Sequence, residues 1–208
     1  GFNGVYEDYD LGFDLVFDSE FRKLIEVFQK IPMERAHYQK YIRNIINNGN
    51  ANKIFGFSYV DSYLNEANVA MKMFSDNRKI DQLKTLYTFL LTLKSSKLIF
   101  MGDELADMRT FSIYNNFIID DVKNKTFNEY YKDLSKIFLT IKALNDEDSE
   151  VKIFDVDGYS IYAYERSYKN ERYLVVVNFT DIGYEIPSLY NLEEIINTND
   201  LKYEGTGN

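Results

Sequence analysis

Carboxylates are the side chains that this chain offers for chemistry. The 208 residues include 33 Asp and Glu, no Cys and one His, His37. Without Cys there is no thiol nucleophile, thiolate metal site or disulfide. A single His excludes a multi-histidine metal site and disfavours a serine–histidine dyad. The acids that follow predicted strands, Asp61, Asp103 and Glu104, are therefore the first candidates.

The charge balance bounds the partners of the chain. With 24 basic residues and a net charge of -9, a nucleic-acid partner is disfavoured because phosphate would be repelled. No run approaches the roughly 20 apolar residues of a membrane helix, and no signal peptide is evident. The absence of Cys is compatible with a cytoplasmic location, which we expect. Glu7, Asp8 and Asp10 lack EF-hand spacing, and we expect no metal and no cofactor.

Alternating strand and helix patterns fill the first two-thirds of the chain and predict an α/β fold with a parallel sheet. The predicted strands lie at 11–17, 54–60 and 97–101. Apolar residues at helical spacing predict helices over 21–28, 38–46, 80–91 and 127–144. Ser75 and Asp76 are cap candidates for the third helix, and Thr126 with Glu129 has the spacing of a capping box for the fourth.

Beyond the acidic stretch 145–150 the pattern becomes all-β. Strands are predicted at 152–156 and 159–166 around a turn at Asp157–Gly158, and again at 173–179. The segment 192–208 contains no closing strand. These features predict two domains, 1–148 and 149–208, of which the second is all-β.

Several runs together resemble the C-terminal part of the α-1,4-glucan (glycogen) branching enzymes of the α-amylase superfamily. They occur in family order and span nearly the whole chain: FNGV at 2–5, GFDLVFD at 12–18 with Phe21, KLIFMGDEL at 97–105, LVVVNFT at 174–180 and EIINTNDLKYEGTGN at 194–208. The resemblance implies strands six to eight of a (β/α)₈ TIM barrel in 1–148, followed in 149–208 by an incomplete part of the family's C-terminal β-sandwich domain.

The resemblance also implies a reaction, in which an α-1,4-glucan is cut and rejoined through an α-1,6 bond by a retaining mechanism. That mechanism needs a nucleophile and an acid–base, which we expect upstream of Gly1, and a third carboxylate that assists the transition state. Asp61 matches this third position. Val60 stands where the family has a sugar-binding histidine. Tyr59, Tyr63 and Glu104 are the expected contacts of the glucan.

Other interpretations stay open. Asp61 could simply begin a helix, and Asp103 and Glu104 could cap one. Tyr162 and Tyr164 could stack on sugar, although most aromatic residues at such spacing are core. The chain could be a catalytically inactive homologue that serves as a glucan-binding or structural module, or a hydrolase or debranching enzyme of the superfamily. Because a three-strand slice exposes sheet edges, we also expect an N-terminal segment or a separate chain that completes it.

Overall fold

The fold was analysed in a computed structural model of the chain. The structure describes residues 5–6, 9–10, 12–62, 67–110, 112, 114, 124–156, 160–185 and 191–207. A two-residue antiparallel ladder joins β1 (Val5–Tyr6) to β2 (Tyr9–Asp10) at the beginning of the described chain.

A parallel three-stranded sheet organises the first part of the chain. Its order is β3 (Val16–Phe17), β4 (Lys53–Gly56) and β5 (Ser96–Leu98). The carboxyl ends of all three strands therefore meet at one edge. β4 and β5 approach so closely that a Cβ atom on Gly56 would lie 2.0 Å from the Leu98 carbonyl oxygen, which explains the glycine.

Helices connect these strands, so the α/β prediction is confirmed for this part. The α-helices are α1 (Lys23–Gln29), α2 (Gln39–Asn48), α3 (Tyr59–Ser62), α4 (Lys79–Thr92), α5 (Lys125–Thr140) and α6 (Lys142–Asn145). Short 3₁₀ turns occupy Ser19–Arg22, Pro32–Tyr38, Val69–Lys72, Asp76–Arg78, Asp103–Leu105 and Leu201–Tyr203.

The parallel strands are shorter than predicted. The strand predicted over 11–17 is formed only by Val16–Phe17, because β4 begins at the residue that pairs with Val16. Phe13 and Leu15, which precede this ladder, are exposed. The strand predicted over 54–60 ends at Gly56, and Tyr59 and Val60 lie in α3 instead. The third strand ends at Leu98, the partner of Gly56.

The residues predicted to cap two of the helices are wrong. The side chain of Asn124 caps α5 by accepting a hydrogen bond from the Phe127 amide at 2.8 Å, while Thr126 lies inside the helix. Arg78, not Ser75 or Asp76, precedes the first residue of α4. The helix predicted over 127–144 is interrupted at Ile141, whose extended backbone (φ -90°, ψ 111°) separates α5 from α6.

An antiparallel sheet forms the last part, in the order β6 (Glu150–Phe154), β7 (Ile161–Tyr168) and β8 (Glu171–Asn178). The predicted turn at Asp157–Gly158 lies outside the described residues. No strand occurs in the described segment 191–207, as expected. The division of the chain into two domains at 148/149 stays a prediction, because the hydrophobic core continues across that boundary.

That shared core is rich in aromatic rings. Phe21 stacks on Phe55 beside the parallel sheet, with ring centroids 4.7 Å apart. Phe179, which follows β8, packs against Phe28 of α1 at 4.8 Å and edge-on against Phe89 of α4 at 5.4 Å. The antiparallel sheet thus lies directly on the helices of the first part.

Tyr162 and Tyr164 belong to this core, so the structure supports the core interpretation of these two rings over stacking on sugar. They are 1% and 0% exposed and lie on the face of β7 that packs against the helices. The hydroxyl groups of Tyr164 and Thr92, at the end of α4, share a hydrogen bond of 2.6 Å.

Three buried cations form hydrogen bonds between the first part of the chain and the residues from Ser149 onwards. We call this region the joint. Arg35 donates to the Phe28 and Phe179 carbonyl oxygens at 3.2 and 3.0 Å. Lys84 donates to those of Thr198 and Tyr203, both at 3.0 Å. Arg166, which is fully buried, donates to the Thr92 carbonyl oxygen at 2.6 Å and to Ser149 Oγ at 2.6 Å. Burial lowers the pKa of Arg35 and of Arg166 to about 10, so both remain charged at neutral pH.

Candidate functional site

The residues that follow β3, β4 and β5 form one surface, which we call the strand-end face. Asp18 follows β3, Ser58 to Asp61 follow β4, and Asp103 and Glu104 follow β5. In parallel α/β architectures, functional groups gather at this edge because the loops that leave the strands converge there.

Asp61 is buried and its carboxylate is fully engaged. Its side chain is 2% exposed, and Oδ1 lies 2.5 Å from Arg22 Nε. Oδ2 accepts hydrogen bonds from the Ser58 amide at 2.7 Å and from Ser58 Oγ at 3.1 Å. A carboxylate that reaches back to an amide three residues earlier is one half of a capping box. Asp61 therefore also stabilises the start of α3.

Asp103 repeats this turn at the end of the neighbouring strand. Its Oδ2 accepts the Phe100 amide at 3.1 Å, and its own amide donates to the Phe100 carbonyl oxygen at 3.0 Å. Gly102, with φ 96°, supplies the left-handed backbone that begins the turn. The two strand ends thus carry equivalent carboxylates in the same local geometry.

The environment of Asp103 changes its acidity. Burial, together with the nearby charges of Glu104 and Asp61, raises the pKa of Asp103 to about 7. The Tyr87 hydroxyl faces the same small gap and partly offsets this rise. That hydroxyl is buried without a hydrogen-bond partner of acceptable geometry among the described residues, and burial raises its own pKa. Asp103 thus exchanges its proton near neutral pH.

The predicted glucan contacts occupy different parts of this region. Tyr59 is 41% exposed and its ring meets that of Phe100 edge-on at 6.3 Å. Val60 is exposed beside it. Glu104 is half-buried; its Oε2 accepts the Gly102 amide at 3.0 Å, and it borders a groove along α5. Tyr63 lies outside the described residues. The sugar-binding roles of Tyr59, Tyr63 and Glu104 stay predictions.

No local sequence pattern indicates the two cations that lie beside Asp61. Arg22 lies 39 positions away, at the end of a 3₁₀ turn that follows β3. Lys72 donates from the other side to the Asp61 main-chain oxygen. Burial lowers the pKa of Lys72, and the Asp61 charge opposes that change. The adjacency of β3 and β4 brings Arg22 to Asp61, and Lys72 reaches Asp61 from the turn Val69–Lys72.

Other candidate chemistry lies elsewhere or is absent from the described chain. His37 is exposed in the turn Pro32–Tyr38. In the described part of the chain, no group of three or more His, Cys, Asp or Glu side chains could hold a metal ion. Among the same residues, no helix is both long and apolar enough to cross a membrane.

Comparison with known proteins agrees with this geometry. Residues 153–208 match the family described as alpha amylase, C-terminal all-beta domain. The 1,4-alpha-glucan branching enzyme GlgB of Geobacillus stearothermophilus is 27% identical over 97% of this chain and 34% of its own length. That of Clostridium perfringens strain SM101 is 25% identical over 100% of this chain and 34% of its own. The resemblance to the C-terminal part of the branching enzymes is confirmed.

Solved structures support the fold alone, because their sequences are distant. The debranching enzyme of Nostoc punctiforme has a TM-score of 0.60 at 15% identity, covering 83% of this chain and 38% of its own. The maltogenic alpha-amylase AmyB of Thermotoga neapolitana has a TM-score of 0.57 at 17% identity, over 81% and 39%. An α/β part followed by an all-β part of α-amylase type is therefore shown. The chain spans about a third of the length of the curated relatives that it matches.

Proposed function

We propose that this chain is a section of a 1,4-α-glucan branching enzyme, formed by strands six to eight of a (β/α)₈ barrel and part of the C-terminal β domain. The observation that carries the proposal is the strand-end face. It brings Asp61 and Asp103 to the carboxyl edge of a parallel sheet, in a chain that is similar to branching enzymes along nearly its whole length.

In this proposal β4 is strand seven, and Asp61 is the carboxylate that stabilises the positive charge of an oxocarbenium-like transition state. The substrate is an α-glucan, which is cut at an α-1,4 bond and rejoined through an α-1,6 bond. Tyr59, Tyr63 and Glu104 border its path. The nucleophile and the acid–base belong to other parts of the natural protein.

A second candidate function is a catalytically inactive module that binds glucan or supports a larger assembly. Two observations favour it. The isopropyl group of Val60 cannot donate or accept the hydrogen bond that a histidine would offer to sugar. Arg22 and Ser58 already occupy both oxygens of Asp61.

A branching assay on the natural chain that contains this segment tests both candidates. Amylose is incubated with the protein, and new α-1,6 linkages are counted after debranching. We expect branches to form, and Asp61→Asn to slow their formation about a hundredfold or more. Asp155→Asn, which changes a carboxylate that is 96% exposed just after β6, is the matched control. Amylose binding without branches supports the inactive module, and the loss of both activities contradicts both proposals.

The open edges of the parallel sheet motivate a further part of the proposal. Among the described residues, β3 and β5 each pair with β4 alone. Unpaired edges favour association, so we propose that a preceding segment or a completing chain pairs with them in the natural protein. The isolated 208-residue segment should then aggregate and be cleaved by protease near β3 and β5. A stable monomer with protected strands would contradict this.

A further inference from the structure

The ion pair between Arg22 and Asp61 has a consequence for the strand-end face. A carboxylate offers about four lone-pair sites, and Asp61 uses three of them on Arg22 Nε, the Ser58 amide and Ser58 Oγ. The fourth is covered, because only 2% of the side chain is exposed. The carboxylate is thus both neutralised by a cation and hidden from solvent.

The direction in which Asp61 points strengthens this argument. It borders a cleft of about 730 Å³ together with Arg22 and Lys72, between α1 and the segment 67–72. Its neighbours in α3, Tyr59 and Val60, are instead exposed. The carboxylate is therefore directed toward Arg22, whereas Lys72 contacts the main-chain oxygen of the same residue.

We propose that Arg22 is a positioning residue that pairs with the Asp61 carboxylate and weakens its assistance to the reaction of a bound glucan. This inference rests on the proposed function only in taking glucan as the ligand of the strand-end face. A carboxylate stabilises a developing positive charge best when no other cation is already paired with it. Arg22 thus sets how strongly Asp61 stabilises the developing charge.

Carboxylate labelling tests the proposal without requiring activity. The natural chain is treated with a water-soluble carbodiimide and glycinamide, and the labelling of each Asp is quantified by mass spectrometry. We expect Asp61 to be protected and Arg22→Met to raise its labelling at least tenfold relative to the exposed Asp155. Lys23→Met is the matched control, because it removes a neighbouring exposed cation whose partner is Glu20. Unchanged labelling of Asp61 in Arg22→Met would overturn the proposal.

A second measurement is used if Arg22→Met loosens the fold. Labelling of the buried Asp103 in that variant reveals such loosening. Urea midpoints are then compared for Arg22→Met, Asp61→Asn and the double variant. If the midpoint shift of the double variant is smaller than the sum of the two single-variant shifts, the ion pair is supported. If the midpoint shifts are additive, the proposal is overturned. In the branching assay, Arg22→Met should raise kcat with KM unchanged. If no variant forms branches, the proposed function fails while the labelling result still decides the role of Arg22.

Discussion

The strand-end face and the joint both bury charged side chains, but they balance the charges with different partners. At the joint, Arg35, Lys84 and Arg166 are cations that donate mainly to main-chain carbonyl oxygens. At the strand-end face, Asp61 and Asp103 are carboxylates that accept main-chain amides and lie near one another's charge. Most partners of the cations at the joint are main-chain oxygens, which do not titrate, whereas each carboxylate of the strand-end face lies near the charge of another acid.

This difference separates structural from functional burial. Helix C-termini attract cations, and the carbonyl oxygen at the end of α4 holds Arg166 in this way. Such contacts fix the antiparallel sheet at every physiological pH. At Asp103, burial is the main cause of the raised pKa and the nearby charges of Glu104 and Asp61 add to it, and such a shift is typical of sites that transfer or respond to protons. The strand-end face therefore has the properties of a functional site, and the joint those of a support.

The largest expected effect concerns the pH dependence caused by Asp103. Its folded pKa is about 7, against about 3.9 in an unfolded chain. Below pH 4 both states are protonated and the stabilisation is fully present. As the pH rises toward 7 the unfolded state releases its proton first, so the free energy of unfolding falls, by about 4 kcal/mol over the window. Urea unfolding between pH 4 and 8 should show that Asp103→Asn removes this decline.

The control for this prediction is Asp155→Asn, whose carboxylate is exposed, so its curve should parallel that of the unaltered chain. Only the difference between the unaltered chain and Asp103→Asn is diagnostic, because other acids titrate in the same range. If the two curves run parallel from pH 4 to 7, the proton of Asp103 is not bound as described, and the contrast between the two regions is lost.

The next largest effect is expected when a buried cation of the joint is removed. Arg166→Met leaves the Thr92 carbonyl oxygen and Ser149 Oγ buried without their donor, and we expect a loss of about 3 kcal/mol in the free energy of unfolding. Arg172→Met, on the neighbouring strand β8, changes an arginine that is 74% exposed and should alter stability far less. The loss should not vary between pH 5 and 8. An equal effect of both variants would mean that the joint does not depend on its buried cation.

The sequence predicts elements whose burial is periodic. Leu83, Leu86 and Leu90 share the buried face of α4, and the β-prone run at 173–179 coincides with β8. The ends of the parallel strands were not predictable, because hydropathy does not show where a partner strand ends. Residues 54–60 are apolar except for Ser58, yet the ladder ends at Gly56, where β5 ends opposite it.

The candidate site was predictable only in its local part. The position of Asp61 after a strand follows from the order of elements, and so does that of Asp103. The pairing with Arg22 depends on the adjacency of β3 and β4, which no local pattern encodes. The raised pKa of Asp103 likewise depends on the fold, because burial is its main cause and the charges of Glu104 and Asp61 add to it.

The smallest expected effect concerns the side-chain cap at the start of α5, and it compares the strand-end face with the joint. Asn124 accepts the Phe127 amide through its side chain, and its own amide donates to the Leu105 carbonyl oxygen, in the turn that holds Asp103. Asn124→Ala should therefore cost about 1 kcal/mol, whereas Thr126→Ala should cost clearly less. Amide exchange should quicken at Gly102–Ala106 and in the first turn of α5, but not in β7 at the joint. A larger loss for Thr126→Ala would restore the capping box expected from the sequence, and equal acceleration in β7 would show that the two regions open as one.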